Sequence, residues 1–114
     1  MLVKLPKTIN IAGRRIRLVR VQMDTNHCYG EYHHDRKRIH IAREMSVCAT
    51  LTTIRHEMME AALLLSGVGW LEAYEQEAVV RCMEEIFFPA WSLFIKRLNK
   101  LNTLQYNGTN CTQI

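Results

Sequence analysis

Hydrophobic and polar residues change their spacing once along this chain. Up to about residue 42, apolar residues alternate with polar ones, a pattern typical of strands with one buried face. After Glu44 the apolar residues recur with a period of about 3.6, which predicts helices as far as about residue 101. The pattern therefore predicts an α+β fold, with a small antiparallel sheet of two hairpins followed by two long helices.

The alternating half predicts four strands joined in pairs. Gly13 supplies the turn of the first hairpin, whose second strand contains one irregularity near Leu18 and Val19. In the last strand, Ile39 and Ile41 share one face and His40 takes the other. The predicted strands are Thr8–Ile11, Arg15–Val21, Tyr29–His33 and Arg38–Ala42.

The helical half is divided by glycine and proline. Ser46 is a suitable N-cap for a first helix, and Gly67 and Gly69 are suited to end it. Pro89 either kinks the second helix or occupies the first turn of a new one. Residues 1–101 are expected to form one domain, and residues 102–114 a flexible tail. The expected helices are Val47–Leu65, Leu71–Phe88 and, if proline starts a new one, Pro89–Leu101.

Length and composition limit the classes of protein to which this chain can belong. A chain of 114 residues with 48% apolar residues suits one globular domain. It contains neither an apolar run of about 20 residues nor a signal-peptide pattern, so we expect a cytoplasmic protein without a membrane span. The four cysteines are scattered and lack the spacing of a zinc finger.

The charge is unevenly distributed. Residues 1–50 carry ten Lys and Arg against four Asp and Glu, a net charge of +6, whereas residues 51–100 carry five against seven, a net charge of −2. Solvated strand faces and a basic hairpin tip account for the positive half. Contact with nucleic acid or an acidic partner is the alternative.

One short motif points to chemistry. His56 and Glu60 are four residues apart in the first predicted helix, so their side chains share one face. Glu57 lies about 100° around the helix from His56. This is the layout of the H-E-x-x-H zinc hydrolases, with Glu60 in place of the second histidine.

The surroundings of the motif are apolar. Leu51, Ile54 and Met58 belong to one stripe, but Met59 and Leu63 lie on the side of His56. The helix is therefore expected to be covered on both sides. Buried polar groups need partners, and either a metal ion or a direct bond between His56 and Glu60 would satisfy them.

The predicted second helix contains three candidates for a third metal ligand: Glu72, Glu75 and Glu77. Glu75 borders the apolar face of that helix, whereas Glu77 falls on the solvent side. Glu72 stands at the helix start, where a carboxylate also interacts favourably with the helix dipole. Glu75 is therefore the preferred ligand, and a surface carboxylate is the alternative.

Residues 5–95 resemble the small gluzincin-type zinc metallopeptidases that include the ImmA/IrrE-like proteins, especially their compact phage and prophage forms. The order of two hairpins, a motif helix and a Glu-led helix carries the resemblance, together with particular sequence runs. These runs are Leu5-Pro6-Lys7-Thr8-Ile9-Asn10-Ile11, Gly30-Glu31-Tyr32, Ile39-His40-Ile41 and Thr50-Leu51-Thr52-Thr53-Ile54-Arg55-His56-Glu57.

The resemblance implies a zincin-like fold and a role for each matching residue. His56, Glu60 and Glu75 would be metal ligands, and Glu57 would be the general base. The implied ion is Zn²⁺, although two carboxylates with one histidine also suit manganese or iron. A substrate segment would lie along an edge strand formed by Ile39, His40 and Ile41, with Tyr74 or His40 as oxyanion donor.

Two functions follow as hypotheses. The first is a metal-dependent peptidase of phage or prophage type that hydrolyses a protein or peptide in the host cytoplasm. The alternative is an inactive relative that keeps the fold as a binding module for a host protein or nucleic acid.

Overall fold

A computed structural model describes residues 3–24, 28–70 and 76–109. A four-stranded sheet packs against helices, which confirms the α+β prediction. Within the described ranges, every helix is too short or too polar to cross a bilayer. The strands are β1 (Thr8–Ile11), β2 (Arg14–Val21), β3 (Gly30–His33) and β4 (Arg38–Ala42); the helices are α1 (Val47–Leu65), α2 (Gln76–Cys82) and α3 (Phe88–Asn102), with a 3₁₀ turn at Val68–Trp70 and a π-helical turn at Met83–Phe87.

Both predicted hairpins are present, but the sheet that they form is mixed. β1 pairs with β2 and β3 pairs with β4, each antiparallel. The strand order is β1-β2-β4-β3, and the two inner strands, β2 and β4, run parallel. The prediction of an antiparallel sheet is therefore wrong at its centre. Each hairpin places its second strand inside, and those two strands point the same way.

Side chains alternate without a break along β2. Ile16 and Leu18 face the core, and β2 pairs with β4 one residue at a time from Arg17 to Val21. The predicted irregularity near Leu18 is therefore absent. Arg20 takes the next inward position, where its guanidinium donates a hydrogen bond of 2.9 Å to the carbonyl of Val3.

Helix α1 begins and ends where the sequence predicts. The hydroxyl of Ser46 accepts a hydrogen bond from the backbone N–H of Ala49, which satisfies one of the free donors of the first turn. After Ser66 the chain turns at Gly67, whose φ of +84° is accessible to glycine at little cost.

The π-helical turn explains how Pro89 is accommodated. The N–H of Phe88 bonds to the carbonyl of Met83, five residues earlier, and Pro89 then occupies the first turn of α3. The wider turn shifts the apolar face of the helix. Phe87 is consequently buried, whereas Leu93 is 45% exposed.

Part of the predicted tail packs on the core. Tyr106 is 3% exposed, and the carbonyl of Gly108 accepts a hydrogen bond of 3.2 Å from the indole N–H of Trp91. The side chain of Asn102 bonds to both backbone groups of Lys4. The packed unit therefore reaches Gly108, and residues 110–114 of the predicted tail lie outside the described residues.

Candidate metal centre

His56 and Glu60 project from one face of α1 into solvent. Nε2 of His56 lies 3.2 Å from Oε1 of Glu60, and the two side chains are 69% and 50% exposed. The prediction that α1 is covered on both sides is therefore wrong at this face. The sheet covers the neighbouring face of the helix and leaves these two residues at its margin.

Glu57 is the buried member of the motif. Only 3% of its surface is exposed, because strand β3 passes directly over this part of α1 at Gly30. A Cβ atom on Gly30 would lie 2.5 Å from Cγ2 of Thr53 and 3.3 Å from Cγ of Glu57. The close approach of strand and helix therefore depends on glycine at position 30.

The surroundings of Glu57 favour its neutral form. Burial raises the pKa of Glu57 to about 8, and a hydrogen bond to the Glu60 carboxylate and the negative charges of Glu60 and Glu31 act in the same direction. A proton is therefore retained between Glu57 and Glu60 at neutral pH. A cation bound beside the two carboxyl groups would favour their ionised forms and the loss of that proton.

The geometry of the motif suits a divalent transition metal. One donor atom from each of His56, Glu57 and Glu60 lies within 4.8 Å of the other two. Two ligands bound at about 2.0–2.1 Å to a tetrahedral ion are about 3.3 Å apart. The 3.2 Å separation of His56 Nε2 and Glu60 Oε1 is compatible with that spacing, and it is also the distance of a direct hydrogen bond between the two side chains. One imidazole and a carboxylate also form a donor set found in zinc sites.

An open groove of about 750 Å³ lies between α1 and β3, beside the motif. One wall is β3, which forms an edge of the sheet, and the other is the exposed face of α1. The thiol of Cys28 donates to the carbonyl of Gly30 where the groove meets the strand. Its lining residues include Tyr29, Glu31, Thr53, His56, Glu57 and Glu60.

Among the described strands, β3 forms the edge of the sheet beside the groove, whereas the sequence predicts β4 there. β4 is paired on both sides, so its backbone is engaged by β2 and β3. Ile39 and Ile41 are fully buried in the core, and His40 lies on the opposite sheet face against the ring of His33, 4.6 Å away. Placing a substrate along β4 is therefore wrong, because the strand beside the groove is β3.

The candidate ligands of the predicted second helix are not part of the described site. Glu72, Glu75 and Tyr74 lie outside the described residues, and the side chain of Glu77 is not described. The assignment of Glu75 as third ligand remains a prediction. Gly30, Glu31 and Thr53 are site residues that sequence reasoning missed, since their proximity to Glu57 depends on how β3 packs on α1.

Comparison with known proteins gives no relative. No family model, curated protein or solved structure matches the chain.

Proposed function

We propose that the protein is a metal-dependent peptidase of the gluzincin type, similar to the ImmA/IrrE-like proteins. The observation that carries the proposal is the grouping of His56, Glu57 and Glu60 beside β3, the edge strand of the described sheet. His56 and Glu60 would hold a zinc ion. Glu75 is the further ligand that the resemblance implies.

Each residue of the motif has a separate task. A metal ion held by His56 and Glu60 would supply Lewis acidity, which lowers the pKa of water and polarises a carbonyl group. His56 and Glu60 bind from one turn of a rigid helix, so that their spacing is fixed before the ion arrives. Glu57 accepts the proton of the attacking water at its carboxylate and delivers it to the leaving amine nitrogen.

The environment of Glu57 suits this role. A general base works best when its pKa is near the operating pH. The pKa of Glu57 is raised to about 8, and added positive charge beside it brings the pKa back toward neutrality. Its burial under β3 also limits the exchange of bulk water at the carboxyl group.

A peptide substrate would bind by adding a strand to β3. The outer edge of β3 borders the groove, and an extended chain paired there would pass over the face of α1 that carries His56 and Glu60. Backbone pairing does not depend on the side chains of the substrate. Selectivity would then come from groove residues such as Tyr29 and Glu31.

Proteolysis by paired variants tests the proposal. The zinc-loaded protein is incubated with an unfolded protein substrate such as casein, and new amino termini are counted. Glu57→Gln should reduce cleavage by at least about 100-fold, the scale of general-base catalysis, while Glu84→Gln on the exposed helix surface should not. Equal cleavage by the two variants, or no cleavage by the zinc-loaded wild type, would overturn the proposal.

A further inference from the structure

The sheet face opposite α1 carries a row of arginines. Side chains alternate along each strand, so Arg15 and Arg17 of β2 and Arg38 of β4 point away from the core that buries Ile16 and Ile39. Arg15 and Arg17 are exposed, and Arg38 is half-buried. This sheet face is positively charged because arginine occupies several of the outward positions of the strands.

The parallel register brings two of these charges together. Arg17 is directly opposite Arg38 on the neighbouring strand, and Arg15 is two residues from Arg17 on the same face. Like charges directly opposite each other destabilise a sheet. In the described ranges, none of the three guanidinium groups forms an ion pair or a side-chain hydrogen bond. Glu31 of β3 shares this face, but its carboxylate lies 3.1 Å from Nε2 of His33, so no described acidic side chain pairs with the three arginines.

The row continues at the outer edge of β1. Arg97 of α3 donates a hydrogen bond of 2.8 Å to the carbonyl of Thr8, which holds its guanidinium at this edge. A groove of about 530 Å³ connects Arg97 with Arg15, and these are its only charged lining residues. Thr8 and Asn10 add polar groups to the same groove. We define Arg15, Arg17, Arg38 and Arg97 as the basic sheet face.

We propose that the basic sheet face binds the phosphate backbone of double-stranded nucleic acid. Phosphate groups supply the negative charge that the arginines lack, and guanidinium groups pair with them bidentately. No Phe, Tyr, Trp, Leu, Ile or Met lies on the outward positions of β2 and β4. Val19 and Val21 are half-buried on this face, Leu93 lines the groove at its edge, and the rings of His33 and His40 contact each other on it. Charged guanidinium groups are its main exposed feature, which favours phosphate over the large apolar anchor of a typical protein interface.

This surface is separate from the candidate metal centre. The motif of His56, Glu57 and Glu60 faces β3 from the helix side, whereas the three strand arginines lie on the other face of the sheet and Arg97 lies at the edge of β1. Binding of nucleic acid can therefore be measured with the metal removed. The outcome of the test of one proposal therefore does not decide the other.

The test is fluorescence anisotropy with a labelled 20-base-pair DNA duplex in EDTA, at 50–200 mM KCl. If four arginines each neutralise one phosphate, the logarithm of affinity falls against the logarithm of salt with a slope of about −3.6, which is about 150-fold over this range. Arg17→Gln and Arg38→Gln should each flatten the slope by about 0.9. Arg17→Lys keeps the charge and should retain the slope.

A matched control is Arg81→Gln, since Arg81 is exposed on α2 and lies 3.9 Å from Glu85. It removes one charge from elsewhere on the molecule and should leave the slope unchanged. Circular dichroism confirms that each variant is folded. The proposal is overturned if the duplex does not bind at 50 mM KCl, or if Arg17→Gln and Arg81→Gln behave alike. It is also overturned if a single strand or poly-glutamate binds more tightly than the duplex.

Discussion

Nε2 of His56 and Oε1 of Glu60 lie 3.2 Å apart, one helical turn from each other on the exposed face of α1. Glu57 is between them in sequence, yet it is buried, because strand β3 crosses the helix at that point. The same short motif thus provides two accessible donors and one shielded carboxyl group. This division matches the tasks of metal ligand and general base that we propose for these residues.

The protonation of Glu57 makes stability depend on pH. In the folded protein its pKa is raised to about 8 from an ordinary value of 4.5. Between these values the folded chain holds a proton that the unfolded chain has lost, so this residue's contribution to the free energy of unfolding falls as pH rises. Glu57→Gln cannot ionise and should escape that loss. As the pH rises from 5 to 8, the free energy of unfolding of Glu57→Gln should therefore increase relative to that of the wild type.

Urea denaturation of both proteins in EDTA measures this difference. The comparison cancels the titrating groups that the two proteins share, apart from Glu60 and Glu31, whose charges interact with Glu57. A difference that stays constant from pH 5 to pH 8 would contradict a raised pKa at Glu57.

Zinc should stabilise the folded protein through Glu60. A ligand present at 100 times its dissociation constant adds about 2.7 kcal/mol to the free energy of unfolding. Glu60→Gln removes one donor and should lose most of this gain, whereas Glu84→Gln should keep it, since Glu84 is an exposed carboxylate on the π-helical turn. Thermal denaturation with and without zinc provides the measurement. Equal zinc effects in the two variants would exclude Glu60 as a ligand.

The contact between β3 and α1 should be sensitive to one methyl group. Gly30→Ala places a Cβ atom 2.5 Å from Cγ2 of Thr53, so strand or helix has to move. Overpacking of this kind costs about 1–3 kcal/mol. Thr53→Ser removes Cγ2 and should recover part of the loss in the double variant. Additive effects of the two substitutions in urea denaturation would show that the steric account is incorrect.

Tyr106 should contribute to stability although it follows the last helix. It is 3% exposed and belongs to the main core, so Tyr106→Ala is expected to cost about 3 kcal/mol. Tyr29 is 55% exposed, and Tyr29→Ala should change stability by less than about 0.5 kcal/mol. Equal urea midpoints for these variants would place Tyr106 outside the packed unit.

Local signals in the sequence predicted the elements well. Ser46 and Gly67 mark the ends of α1, and Gly13 marks the turn of the first hairpin, because capping and turn formation depend on a few adjacent residues. The π-helical turn before Pro89 was not predicted. It shifts the apolar face, so that Leu93 is exposed and Phe87 is buried.

Relationships between distant elements were harder to predict. Hairpin patterns do not show which strands of two hairpins will pair, so they predict neither the parallel contact between β2 and β4 nor the inner position of β4. The motif that begins at His56 could be predicted from the sequence, because residues four apart lie on one face of a helix. The packing of Gly30 over Glu57 brings together residues far apart in sequence, and neither pattern nor spacing reveals it.

Anomalous diffraction from crystals of the zinc-loaded protein tests the central claim most directly. The account predicts one strong zinc peak per chain, within about 2.2 Å of both Nε2 of His56 and a carboxylate oxygen of Glu60. A carboxylate from the segment containing Glu75 should complete the coordination. A peak elsewhere, or no peak between His56 and Glu60 at saturating zinc, would contradict the account.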